Sequence, residues 1–280
     1  MELFSLWLWP LIALVLLPAA LVYFGLHVVG RGVIFVDLAL AQIAALGIAT
    51  AVLLGADAEH DMLPQVLAFL FAIAGAALFS LTRFRHPRVP QEAIIGIIYI
   101  VSAAAATLVL SRTAAGDEEI KNLLVGNVLL VNRVEVLRTA ALYLAVGLLH
   151  YWLREEFHLM SFDLEEAIRR GMSVRFWDFI FYATFGLVVT TFVHLAGVYL
   201  VFSYLIVPAV CGALLSSRTG VRLAIGWAVA LVAGVSGLVL STQWESMDLP
   251  TGPTIVCIFG CLLALSGAIA FVRSRGGTTG

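Results

Sequence analysis

An aspartate stands inside an otherwise apolar run: Asp37 in VIFVDLALAQIAALG, with Gln42 five residues further on. A carboxylate at membrane depth persists only with a partner or with access to water. Asp37 therefore either lines a polar path that attracts a cation, or pairs with Arg31 or another basic group, or caps its helix. Five residues are about 500° of helical rotation, so the two side chains point roughly 140° apart and share no face. Gln42 reaches the same path only from a neighbouring sector or through local unwinding.

Other polar positions carry weaker chemistry. Glu92 opens an apolar run just after Pro90, where an acid in the first helical turn is explained as a partner of the helix dipole. Glu59, His60 and Asp61 supply three ligand types in a row, but consecutive loop residues rarely chelate one ion, and a solvated loop is the expectation. His194 lies near the same surface, while His86, His150 and His158 fall towards the opposite side without a motif. Pro208 sits mid-span in VFSYLIVPAVCGALL, where it kinks or unwinds its helix and so becomes a candidate for the path. Cys257 and Cys261 share a helix face and are expected to pack a helix interface, as small buried cysteines do.

The elements that position these residues are membrane helices. The chain is 62% hydrophobic and 12% charged, with mean hydropathy +1.04, which excludes an ordinary soluble globule. A bilayer core needs about 20 apolar residues per helix. Spans are expected near 6–29, 33–54, 63–82, 91–111, 134–153, 176–194, 197–217, 221–241 and 253–273. The first lacks a basic leader, having Glu2 instead, and reads as a true span rather than a cleavable signal. NLLVGNVLLV at 122–131 is too short to cross and reads as re-entrant or interfacial. The fold class is all-α, a polytopic helical bundle forming one domain over residues 1–280.

Charge sets the orientation. With the N-terminus outside, twelve arginines fall on inner loops, against Arg112, Lys121, Arg133 and Arg138 outside. That bias places the C-terminus in the cytoplasm. The outer loops are acidic, either as a consequence of depleting Arg and Lys there or as a means of concentrating cations at the mouth.

One cytoplasmic stretch breaks the apolar pattern. REEFHLMSFDLEEAIRRGMSVR, from Arg154 to Arg175, holds nine of the chain's 34 charged residues. FDLEEAIRRG within it reads as a short helix: Asp163 is the N-cap, Glu165 and Glu166 lie in the first turn, Arg169 and Arg170 in the last, and Gly171 follows as the left-handed stop. A membrane chain that exposes one capped helix inside has a handle for a soluble partner. No G-x-x-x-x-G-K-[ST] pattern occurs, so any ATP must be hydrolysed by another chain. The chain itself is not expected to be an enzyme. No Arg-rich voltage-sensing helix or selectivity-filter motif is present either.

Six segments in order resemble the permease subunits of ABC importers for transition metals, the zinc/manganese/iron-type family: VDLALAQIAALG, QEAIIGI, LLVGNVLL, FDLEEAIRRG, IVPAVCGA and MDLPTGPTIV. The resemblance covers nearly the full chain. It implies a bacterial inner-membrane permease of the metal/vitamin-importer type that homodimerises around a translocation path. Asp37, Gln42 and Pro208 would line that path, with Asp37 as the metal residue. The helix carrying Phe162, Asp163, Glu165, Glu166, Arg169 and Gly171 would couple to a separate ATPase. An external substrate-binding protein would deliver the cargo. No permanently bound cofactor and no nucleic acid is expected; besides these proteins the chain's partner is membrane lipid. The family's early segment pairs the aspartate with a histidine. Here the histidine's place is Gln42 counted back from Gly47, or Ala41 counted forward from Asp37, and glutamine is a hard, weak ligand ill suited to zinc. The alternatives to an ATP-driven importer are an ATP-independent cation transporter or channel, and a membrane scaffold protein.

Overall fold

The structure is a computed structural model that describes residues 2–57, 61–83, 89–113, 131–243 and 249–276; among these every regular element is a helix. In chain order they are α1 (Glu2–Arg31), α2 (Val36–Leu53), α3 (Leu63–Thr82), α4 (Gln91–Leu110), α5 (Arg133–Trp152), α6 (Arg154–Phe162), α7 (Leu164–Arg169), α8 (Val174–Leu215), α9 (Thr219–Gln243) and α10 (Thr251–Gly276). Nine stretches among the described residues are long and apolar enough to cross a bilayer. They match the nine spans expected from hydropathy to within a few residues, because length and apolarity are local properties of the chain. The segment at 122–130, Glu59, His60 and His86 lie outside the described residues.

Helix starts follow local chemistry. Asn132 accepts from the N–H groups of Val134 and Glu135, and the Glu135 carboxylate accepts from the Asn132 N–H, a reciprocal capping box that opens α5. Pro90 precedes α4 and Pro64 stands in the first turn of α3, where a missing N–H costs no hydrogen bond.

α8 holds two candidate spans, Val174–Val193 and Leu195–Leu215, and its helix breaks at Gly197, near the start of the second. Gly197 has φ 77°, a conformation open to glycine and strained for other residues. The rings of Phe192 and Tyr204 lie 6.0 Å apart, whereas twelve residues of straight helix span about 18 Å. The chain therefore doubles back there.

Packing orders the helices from inside to outside. α2 packs on α3 and α4 and touches α8, while α8 contacts α1, α3, α9 and α10. Of the span in α2, 67% is buried within the chain, against 17% in α10, so α2 is an inner helix and α10 leaves most of its apolar side chains outside the chain's own packing. Phe24 of α1 meets Phe181 and Phe185 of α8 at centroid separations of 5.6 and 5.1 Å. This aromatic layer ties the first helix to the doubled one.

Candidate functional site

α2 starts without a side-chain cap of its own. Its N-cap residue, Phe35, instead donates its N–H to Glu92 Oε1 of α4 at 3.0 Å. Glu92 does lie in the first turn of α4, as its place after Pro90 predicts. Its carboxylate also serves the start of a second helix, 57 residues away in sequence. Asp37 sits in the first turn of that second helix and is 1% exposed. Neither of its oxygens makes a hydrogen bond of normal geometry. The groups that bear on its charge are the N–H groups of Asp37 and Leu38 and the carboxylate of Glu92.

The alternative that Asp37 pairs with Arg31 is incorrect. Arg31 Nη1 lies 2.5 Å from Asp178 Oδ1 in α8, and Arg83 Nη1 reaches the same oxygen at 2.8 Å. Arg31 turns away from α2 because a fully buried acid on α8 and an aromatic face both claim it: its guanidinium carbon stands 3.8 Å above the Phe181 ring. Arg31 Nε also donates to Ser161 Oγ at 2.9 Å, which leaves the serine proton for His27 Nδ1 at 2.8 Å. Arg83 Nη2 donates to the carbonyl of Met160 at 3.2 Å. Four elements therefore meet at one polar junction: the end of α1, the residue after α3, the last turn of α6 and the first turns of α8.

Asp178, His27 and Ser161 are absent from the sequence-derived candidates. Asp178 carries the signal that drew attention to Asp37, an acid within an apolar span in RFWDFIFYATF. A second buried polar chain lies beside the junction. Thr184 donates to the Ile180 carbonyl and so accepts from His150 Nε2 at 2.8 Å, leaving His150 Nδ1 to accept from the Tyr23 hydroxyl at 3.2 Å. His150 thus stands as a hydrogen-bonded side chain within the helix packing.

The short helix forms as its sequence dictates. Asp163 accepts from the Glu166 N–H at 3.1 Å, and the helix ends in a Schellman arrangement, with Met172 N–H on the Ala167 carbonyl and Gly171 N–H on that of Ile168. Gly171 has φ 76°. Ala167 is fully buried, while Asp163, Glu165, Arg169 and Arg170 are exposed, so the helix rests on one small residue and presents its charges outward. Glu166 pairs with both Arg169 and Arg170, the latter at 2.7 Å. The Arg170 hydrogen bond, with help from Arg169, holds the Glu166 carboxyl below the ordinary carboxylate range. A pocket of about 440 Å³ opens beside this helix between Arg154, Glu155, His158, Leu159 and Arg170. Phe162 is half-exposed, and its ring lies where a Cβ on Gly30 would come within 2.5 Å, so it seats the start of the short helix against α1.

The remaining candidates disperse. Gln42 is buried on α2 and makes no hydrogen bond with Asp37. Pro208 is buried in the second half of α8, its carbonyl against Gly226 of α9. Cys257 and Cys261 are exposed on α10, contrary to the expected role in packing a helix interface, because α10 turns that face outward. Among the described residues no group of three or more His, Cys, Asp or Glu side chains is arranged to hold a metal ion.

Comparison with known proteins places the fold and the family. The manganese transport system membrane protein MntC of Halalkalibacterium halodurans is 24% identical over 225 residues, 76% of either chain. The chelated iron transport system membrane protein YfeD of Yersinia pestis is 28% identical over 220 residues, 74% of this chain and 72% of the relative. The solved structure of PsaBC from Streptococcus pneumoniae in complex with Fab superposes with a TM-score of 0.77 at 21% identity, covering 95% of this chain and 92% of that one. The family model described as ABC 3 transport family matches residues 4–270. The chain is a multi-pass membrane protein that belongs to the ABC 3 transport family.

Proposed function

We propose that this chain is the permease of an ATP-driven importer in a bacterial inner membrane, with a divalent transition-metal cation as its cargo. The observation that carries the reading is Asp37: a carboxylate fully buried in the inner helix α2, with neither oxygen hydrogen-bonded. Such a group needs a positive partner, and a passing cation supplies one. The manganese and chelated-iron relatives support a metal cargo.

The short helix α7 docks on a separate ATPase in this reading, and an external binding protein delivers the ion to a dimer of the permease. The N-terminus lies outside and the C-terminus inside, as the arginine bias favours. The ends of α1 and α3, the starts of α8 and the helix pair α6–α7 converge at one end of the bundle, which fits a single cytoplasmic face. ATP binding and hydrolysis in the partner move α7 and exchange an outward-open for an inward-open path. The permease makes and breaks no covalent bonds. Uptake of manganese, zinc, iron and cobalt by the permease–ATPase complex in liposomes tests the reading. ATP-dependent accumulation of at least one of them is expected; the same uptake without ATP would identify an energy-independent transporter.

A further inference from the structure

A pocket of mixed charge lies where the span of α5 ends. Tyr151 and Trp152, the last two residues of α5, are 62% and 77% exposed. Exposed aromatic side chains at the end of a span sit at the headgroup level of a bilayer. The chain then turns into α6, which buries Phe157, Met160 and Ser161 in the bundle. Its other side carries Arg154, Glu155, His158 and Leu159. Together with Arg170, the C-cap residue of α7, these side chains line the cavity of about 440 Å³. That volume falls within the about 300–1,000 Å³ typical of small-molecule sites.

The charges around the cavity are of both signs. The Arg154 guanidinium stands 4.9 Å from the centroid of the Tyr151 ring, which keeps it level with the aromatic pair. Arg170 gives its Nε–H to Glu166 at 2.7 Å, and its Nη groups are further donors in the planar fork that matches a phosphate. Glu155 lines the same cavity, and Glu155 and Asp163 both bear on the charge of Arg170. A headgroup that is only anionic meets Glu155 as a like charge. A quaternary amine offers that carboxylate no N–H to accept. A phosphate joined to a primary ammonium satisfies both signs at once.

We infer that this pocket holds the headgroup of an aminophospholipid, with Arg154 and Arg170 on the phosphate and Glu155 on the ammonium. Basic pockets at the ends of membrane helices are sites of this kind for phospholipid headgroups, and Glu155 supplies the preference among them. Arg154 opens α6 and Arg170 closes α7, so a bound headgroup bridges the end of a span and the short helix. The assignment rests on the chain being embedded in a bilayer and is independent of its cargo.

Native mass spectrometry of the full-length permease counts bound lipids. The probes are phosphatidylethanolamine, phosphatidylcholine and phosphatidylglycerol with identical acyl chains, so that only the headgroup differs. Phosphatidylethanolamine should bind about tenfold more tightly than either of the others, the worth of one hydrogen bond to a charged group. Glu155→Gln should abolish that preference and Glu155→Asp should keep it. Arg154→Gln combined with Arg170→Gln should weaken binding of all three lipids. The three positions are exposed, so each variant should unfold at the wild-type temperature. Equal binding of the three lipids by the wild-type permease overturns the assignment, as does an unchanged preference in Glu155→Gln. Soluble phosphoethanolamine that binds as tightly as the lipid would identify a soluble ligand and overturn it too.

Discussion

Arg31 and Asp178 meet at 2.5 Å with their side chains 1% and 0% exposed, 147 residues apart in sequence. Arg83 shares the same carboxylate oxygen, and the arginines also hold Ser161 and Met160 in the last turn before the short helix. The junction is thus the mechanical base of α7. In the importer reading proposed above, a displacement of α7 would be passed to the ends of α1 and α3 and the start of α8, because a buried ion pair resists being opened.

Asp178→Asn leaves the buried Arg31 guanidinium and the partly buried Arg83 guanidinium without their counter-charge. Removing one partner of such a pair costs about 3–5 kcal/mol, so thermal unfolding in nanodiscs should occur at clearly lower temperature. At temperatures where the variant stays folded, ATP hydrolysis by the complex should continue with little uptake. Uptake per ATP equal to wild type would remove the junction from the coupling route.

The short helix separates stability from coupling. Glu165→Arg and Arg169→Glu change exposed charges and should alter stability by no more than about 0.5 kcal/mol. They should nonetheless lose co-purification with the ATPase. Gly171→Val forces a branched residue into a left-handed conformation costing about 1–2 kcal/mol, and should loosen the helix end with the same functional result. Normal co-purification and uptake in all three would leave α7 as a solvated loop helix.

Protonation of Glu166 gives a pH signature. Its carboxyl is held below the ordinary value of 4.5 by Arg170 and Arg169, so the pairing is complete above that value and is lost as pH falls through the lower folded value. A spin label at residue 165 should report constant mobility from neutral pH down to about 5, then greater mobility in more acid solution. Glu166→Gln should abolish the step. Mobility that rises between pH 7 and 6 would assign the change to another group.

The spans and the short helix were legible in the sequence because both depend on neighbours in the chain. Apolar length marks α2 or α9, and the Asp163 cap with the Gly171 stop marks α7. The pairings were not, because charge alone does not say which base meets which acid. Arg31 stands six residues from Asp37, yet it turns to Asp178 across the bundle, where the Phe181 ring adds a second contact. Glu92 read as a dipole partner of its own helix, and its bond to Phe35 depends on α2 and α4 packing side by side. Asp178 was visible as an acid in an apolar span; its partners required the fold.

Uptake by Asp37→Asn tests the central claim most directly. Asparagine keeps the shape and removes an unpartnered buried charge, so thermal stability should be unchanged or higher, and dimer assembly and basal ATP hydrolysis should survive. ATP-driven accumulation of the cation in liposomes should fall to background. Accumulation at the wild-type rate would take Asp37 out of the path and contradict the account.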